Sequence, residues 1–406
     1  MKRALRLAVV YPSFGQAGGA ENHSIAACSA LARRGHTVTL YTSSYDEALF
    51  PAQATLPFSV ITVGGRGFYA NPLELMRLMR RMPALLREAD LIVPINFPAS
   101  AWVIRCAQPR IWLCLEPKRN LYPGVMYADA PGFGPHGYRG LRLSSLLRDP
   151  HLLLPFGARA ALQRLLDQQA ARGMRAILTN SPYISEKCAQ VYPALAGHIH
   201  TTWAPLDMPV SPQTDIGRDP FILIPTRLEP IKGVDHALRA VKRLADDGAL
   251  SGWKVVIMGD GEARPALENQ ARALGLADTV SFTGYVSREK RAELYASCAF
   301  ALYPALAEPL GLPVAEAALY RKASIAAQRG GPADMIVDGE TGWLVDVADA
   351  HALAGALAAW IGQPEQAAAC GERAFAHLAP RMTEFGWGDA FEAALFHYAD
   401  EPRTRS

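Results

Sequence analysis

Hydrophobic positions fall into short apolar runs separated by stretches of helical periodicity. Residues 5–11 are almost wholly apolar and too few for a helix, so they read as a buried strand, followed by a Gly-rich turn at 15–19. From 21 to 34 apolar residues recur at helical spacing, Gly35 stops the helix, and 37–41 returns to a strand pattern. The second half repeats the alternation. Strands predicted at 221–226, 254–258, 279–283 and 299–303 interleave with helices at 234–247, 264–274, 288–298 and 313–320. Such alternation implies parallel sheets covered on both faces, with ligands beyond the carboxyl ends of the strands. Two halves of this kind predict a cleft between them. The Pro- and Gly-punctuated stretch 206–220 marks the boundary, and 123–140, rich in Gly, Pro and Tyr, reads as a long functional loop. Trp387, Phe391, Leu395 and Tyr398 lie at helical spacing in a final amphipathic helix that needs a surface to cover.

Composition narrows the classes. The chain has 406 residues, 50% hydrophobic and 19% charged, which suits a globular protein of two or three domains. The best apolar run, 298–319, is broken by Glu308, Glu316 and prolines, so no membrane span is expected. The first apolar run is too short for a signal sequence, and six cysteines without a CxxC pair fit a reduced, cytoplasmic chain. HExxH, P-loop and GxSxG motifs are missing, which removes zinc proteases, P-loop NTPases and serine hydrolases from consideration. Residues 1–205 hold 22 Lys and Arg against 11 Asp and Glu, whereas 206–406 hold 19 against 27. The asymmetry suggests two domains with different ligands, the basic one meeting something anionic; surface solubility is the alternative.

The most specific segment is PALAEPLGLPVAEAA at 304–318, with Glu308 and Glu316 on either side of a turn that opens a helix. The amides of Leu310, Gly311 and Leu312 at that helix start suit a phosphate, Glu316 can accept from a ribose, and Glu308 can take sugar hydroxyls. As a bare pair, two carboxylates are more simply a solvated cap. Upstream, TRLEPIKG follows a strand and puts Arg227 and Lys232 where a guanidinium fork and an ammonium can share a diphosphate. VIMGDGE and FTGYV lie between, each behind a strand. The order of all these segments is much harder to obtain by chance than any one of them.

Together these motifs, with GGAE at 18–21, RGH at 34–36 and GGPADMIVDGETGWLV at 330–345, resemble the GT-B glycosyltransferases of retaining family four, glycosyl transferases group one, over nearly the full length. The resemblance is to the branch that builds polysaccharide or glycolipid chains. It implies an α/β GT-B fold: two Rossmann-like domains with parallel sheets facing a central cleft. An acceptor domain would span 1–207 and a nucleotide-sugar domain 208–380, and a terminal helix at 381–406 would cross back to the first. By resemblance Arg227 and Lys232 bind the nucleotide diphosphate, Glu316 the ribose and Glu308 the transferred sugar. Gly18 and Gly19 lie toward the phosphates, and Gly259 and Val286 approach the base. The donor is then a GDP- or UDP-linked sugar, with no cofactor, and the acceptor a saccharide or lipid-linked saccharide. With the diphosphate neutralised by cations and amides, and no Asp-x-Asp motif, no metal is called for. No nucleic-acid partner is expected.

One departure stands out. In IWLCLEPKRNLY, residues 111–122, relatives commonly have His before Glu-Pro, where this chain has Leu115; Glu116 and Arg119 on the acceptor side still fit. Leucine cannot hydrogen-bond a hydroxymethyl group. Another residue supplies that contact, or the donor is a deoxysugar, or activity is weak or lost and the chain is a nucleotide-sugar-binding scaffold. His198 and His200 alternate on an expected strand but are too few for a metal, and His136 reads as a solvated loop residue. Leu73, Met76, Met79, Met82 and Leu86 form the core face of one helix, with Arg77, Arg80, Arg81 and Arg87 on the other side. That basic face suits water and anionic lipid equally, which allows peripheral contact at the inner face of the cell membrane.

Overall fold

A computed structural model describes residues 3–16, 18–64, 72–128, 156–206 and 220–400. The chain forms two compact units, Met1–Leu206 with Glu384–Ser406, and Asp207–Thr383. On these boundaries the first unit holds 24 Lys and Arg against 16 Asp and Glu and the second 17 against 22, a smaller asymmetry than the linear halves show. His136 and most of the 206–220 stretch lie outside the described residues, as does part of the long loop.

In the first unit β1 (Arg6–Tyr11), β2 (Thr37–Thr42), β3 (Ser59–Thr62) and β4 (Leu91–Pro94) run parallel in the order β3-β2-β1-β4. A second parallel set, β5 (Ile111–Leu113), β6 (Ala176–Thr179) and β7 (Ile199–Thr201), follows in chain order. Single bridges from Ile92 to Arg110 and Ile95 to Leu113 join it to β4. Alternation along β1 explains the layers: Leu7, Val9 and Tyr11 enter one apolar cluster, Ala8 and Val10 the other. The helix after the Gly-rich turn starts at Gly19, two residues earlier than its periodicity indicates, because Gly18 takes an extended conformation and caps it.

Two expectations are corrected. Leu78, Met82 and Leu86 form the buried face of the helix Pro72–Leu85 and its extension, but Met76 is exposed beside Arg77 and Arg80. The helix turns Leu78 inward instead. His198 ends a 3-10 turn, Pro193–His198, and only His200 is in β7, where its Nε2 meets the Tyr398 hydroxyl at 2.6 Å.

The terminal helix Glu384–Asp400 belongs to this unit. Trp387, Phe391, Leu395 and Tyr398 are all buried in the cluster of Leu5, Val9 and Leu31. At about 1.5–3 kcal/mol for each fully buried large side chain, these anchors outweigh the exposed Arg33–Glu384 pair beside them. Arg34 grips Glu392 with two bonds of 2.6 and 3.0 Å and also pairs with Asp389. His36 accepts the Leu5 N–H at Nδ1 and faces Glu392 through Nε2 at 3.3 Å.

The second unit is one six-stranded parallel sheet: β8 (Phe221–Pro225), β9 (Lys254–Met258), β10 (Val280–Gly284), β11 (Phe300–Tyr303), β12 (Ser324–Ala327) and β13 (Gly342–Val345), in the order β10-β9-β8-β11-β12-β13. Strand order reverses between β8 and β11, so the crevice beyond their carboxyl ends is where an open sheet of this kind receives a ligand.

Candidate active site

Both carboxyl ends at that reversal carry charge. β8 runs into Thr226 and Arg227, then a 3-10 turn, Pro230–Lys232. Gly233, at φ 65°, lets this turn lie against the loop after β11, since a Cβ there would stand 2.2 Å from the Pro304 carbonyl oxygen. The Leu306 N–H bonds the Ile231 carbonyl at 3.0 Å across the same contact. Lys232, nearly buried, thereby reaches Glu308 with Nζ 2.6 Å from Oε2. Arg227 is half exposed and pairs with Glu229 at 2.9 Å, so each cation meets a carboxylate in this structure.

The loop after β11 carries Glu308 and ends at Gly311, which caps the helix Leu312–Leu319. The N–H groups of Leu310, Gly311 and Leu312 donate to no described residue, which leaves an uncompensated positive helix end. The Gly331 N–H bonds the Glu308 carbonyl at 2.8 Å and braces the loop from the far side. Glu316, one turn into the helix, accepts from the Tyr295 hydroxyl at 2.7 Å and lies 3.4 Å from Arg291. Glu308 likewise accepts from the Tyr303 hydroxyl at 2.6 Å. Burial drives the Tyr303 phenol well above its ordinary value; the Glu308 charge adds to this and Arg227 opposes it. Tyr295 is raised in the same way, by burial first and then by Glu316. Arg227, Lys232, Glu308 and Glu316 are thus assembled at one edge. Sequence reasoning missed Tyr303, Tyr295, Arg291 and Glu229, which carry no motif of their own.

Gly259 and Val286 mark the ends of the neighbouring strands. At Gly259, with φ 132°, a Cβ would stand 2.0 Å from the Thr226 carbonyl oxygen, a contact no side chain tolerates. Its N–H bonds the Gly284 carbonyl at 3.1 Å, which sets half-buried Val286 two residues beyond. Arg264 ties Asp260 to Glu268 beneath this pair of turns.

In the first unit, Gly18 and Gly19 open a helix whose start is shared by Glu21, which accepts from Tyr11 at 2.7 Å. Asn96, at φ 57°, accepts the Leu115 N–H at 2.8 Å and the Glu116 N–H at 3.4 Å. Leu115 is 4% exposed and packs in the cluster that includes Ile95 and Leu113. Glu116 and Arg119 pair with each other, and Arg119 lies over the Tyr127 ring. Asp167, fully buried, accepts from Tyr122 at 2.6 Å and Tyr192 at 2.8 Å, and burial pushes its carboxyl up to about 6. It too escaped sequence reasoning, sitting in a helix without a recognisable motif. Among the described residues no cluster of three His, Cys, Asp or Glu could hold a metal ion, and no helix is long and apolar enough to cross a membrane.

Comparison with known proteins identifies the fold and the family. The structure of Anabaena HepE in complex with UDP and glucose aligns with a TM-score of 0.73 over 97% of this chain and 100% of that one, at 18% identity. Sucrose-phosphate synthase from Thermosynechococcus elongatus gives 0.71 over 97% and 98%, at 17%. The fold is GT-B, two Rossmann-like domains. Residues 211–377 match the glycosyl transferases group 1 family and residues 17–121 match glycosyltransferase family 4. The chain belongs to the group 1 glycosyltransferases of family 4. A D-inositol 3-phosphate glycosyltransferase of Rhodococcus opacus is 26% identical over 95% of this chain and 86% of its own length. D-inositol 3-phosphate glycosyltransferase 2 of Catenulispora acidiphila is 32% identical over 44% of this chain. The chain spans 42% of the length of the Catenulispora relative and 48% of a Streptomyces scabiei one.

Proposed function

We propose that the chain transfers a glycosyl unit from a nucleotide-diphosphate sugar, with retention of configuration, to a hydroxyl of a saccharide or lipid-linked saccharide in polysaccharide or glycolipid assembly. The observation that carries this reading is the gathering of Arg227, Lys232, three open amides and two held carboxylates where strand order reverses. The cations and amides suit a diphosphate; Glu316 suits ribose and Glu308 the transferred sugar. The C1–O bond to phosphate breaks, a bond from C1 to the acceptor oxygen forms, and the acceptor proton passes to the departing phosphate oxygen. The leaving charge is met by Arg227, Lys232 and the helix end, so the reaction calls for no divalent ion and no cofactor. In the first unit, Gly18 and Gly19 are assigned to the phosphates and Glu116 and Arg119 to the acceptor.

The net positive charge of that unit favours an anionic acceptor, and the relatives named D-inositol 3-phosphate glycosyltransferases add that phosphate to the acceptors worth testing. Arg77, Arg80 and Arg87, exposed around Met76, support peripheral contact with anionic lipid at the cytoplasmic face; co-sedimentation that ignores anionic lipid content would remove this. Leu115 supports a second reading, a scaffold that binds nucleotide sugar without transferring it. Its apolar chain is packed where an imidazole is usual, so a 6-deoxy donor is the other consequence. A thermal-shift panel of UDP, GDP and their hexose and 6-deoxyhexose derivatives, followed by product analysis, separates these. Transfer should follow the stabilising donor, and Glu316→Ala should erase its shift. An undiminished shift in that variant removes the donor-site assignment.

A further inference from the structure

We propose that Tyr303 and Tyr295 are positioning residues, each holding one carboxylate for a different part of the donor: Tyr303 sets Glu308 for the sugar and Tyr295 sets Glu316 for the ribose. The inference rests on the reading of those two carboxylates given above. Tyr303 closes β11 and is buried, with its hydroxyl 2.6 Å from Glu308 Oε2. Lys232 reaches the same oxygen at 2.6 Å. A lysine ammonium on a flexible stem moves to a phosphate when one arrives. A buried phenol with two rotatable side-chain bonds stays. Glu308 therefore keeps a donor while Lys232 is drawn toward the diphosphate.

Tyr295 does the same for Glu316 from another element. Ser287 caps the helix Arg288–Ser297 by accepting the Lys290 N–H at 3.2 Å, and this helix presents Arg291 and Tyr295 one turn apart toward Glu316. The Tyr295 ring is fully buried and stacks on Tyr320 with centroids 5.8 Å apart and planes at 17°, so its hydroxyl has one place to point. It takes Oε2, while the more distant Arg291 is on the Oε1 side.

The choice of tyrosine has a reason. A glutamate frozen on ligand binding loses rotamer freedom, a cost removed when the side chain is already held. A neutral hydroxyl does this without competing for the anionic donor. Their raised ionisation keeps both phenols protonated throughout the working range.

Calorimetric titration of the full chain with UDP, 2′,3′-dideoxy-UDP and UDP-glucose, and with GDP, 2′,3′-dideoxy-GDP and GDP-mannose, tests the assignment. In the wild type, loss of the ribose hydroxyls should cost at least about tenfold in affinity, as expected when a hydrogen-bonding site is left unpaired. Tyr295→Phe should shrink that ratio below about threefold and leave the nucleotide-sugar to nucleotide ratio unchanged. Tyr303→Phe should change the second ratio at least about fivefold and leave the first. A generally damaged fold would move both together, so a common change in both variants overturns the proposal, as does a Tyr295→Phe protein that keeps the wild-type ribose ratio. Tyr295→His, which retains a ring donor, should recover part of the ratio and serves as the second variant if Phe destabilises the chain. In the Glu316→Ala background, where no acceptor faces the phenol, Tyr295→Phe should leave the ribose ratio unchanged; a further loss there also overturns the proposal. A wild type indifferent to the ribose hydroxyls overturns the Glu316 reading itself, and the Tyr295 half falls with it.

Discussion

Where β8 and β11 part, the chain places Arg227, Lys232, Glu308 and Glu316, each with a polar partner. Where β1 and β4 part, in the same kind of parallel sheet, it places Phe14, Ile95 and Leu115, all buried, and a backbone loop tied to Asn96. The carboxylate and guanidinium nearby, Glu116 and Arg119, are closed on each other. Among the described residues, one topology therefore supports a charged crevice in one unit and a largely apolar one in the other. Strand order settles where a ligand goes; the loops settle its chemistry.

The sharpest way to break this contrast is Lys232→Met. The change removes the ammonium assigned to the diphosphate and leaves the Glu308 carboxylate uncompensated beside that anion, so the nucleotide-dependent thermal shift should vanish and any transfer fall by at least about a hundredfold. An intact shift would show that the charges of this crevice do not hold the nucleotide. Next comes Asp167→Asn. The folded carboxyl titrates near 6, above its unfolded value of 3.8, so its contribution to stability is complete below pH 4 and fades as pH rises to about 6. Thermal melts from pH 4 to 7 should lose about 2–3 kcal/mol of pH dependence in the variant, as 1.36 kcal/mol per unit implies. A pH dependence equal to that of the wild type would show the buried carboxyl to be ordinary. Arg119→Ala should weaken a saccharide acceptor by about tenfold and leave the nucleotide shift alone; if the shift falls instead, the division of labour between the units is wrong. Smallest is Glu384→Ala, whose exposed pair with Arg33 is worth less than about 1 kcal/mol, read as a marginal change in melting temperature.

Much of this was legible in the residues. Strands β8 to β11 lie within a residue or two of where their apolar runs indicate, since a buried parallel strand is a continuous hydrophobic word. The Glu308–Glu316 spacing, the Arg227–Lys232 turn and Trp387 to Tyr398 carried over directly. The helix Ala350–Gly362, by contrast, is Ala- and Leu-rich around most of its circumference and shows little periodicity to read. Met76 has the spacing of a core residue yet faces out, because periodicity fixes a stripe's angle only to within a neighbouring position. Tyr295 and Tyr303 carry no motif, and only the fold brings their hydroxyls to carboxylates of a later segment.

Because Trp387, Phe391 and Leu395 sit among Leu5, Val9 and Leu31, the first unit is not a contiguous stretch of gene. A fragment stopped at residue 206 would expose a greasy trough and invite aggregation. Adding the last two dozen residues in trans, as a synthetic peptide, is the simplest means of obtaining that half in soluble form.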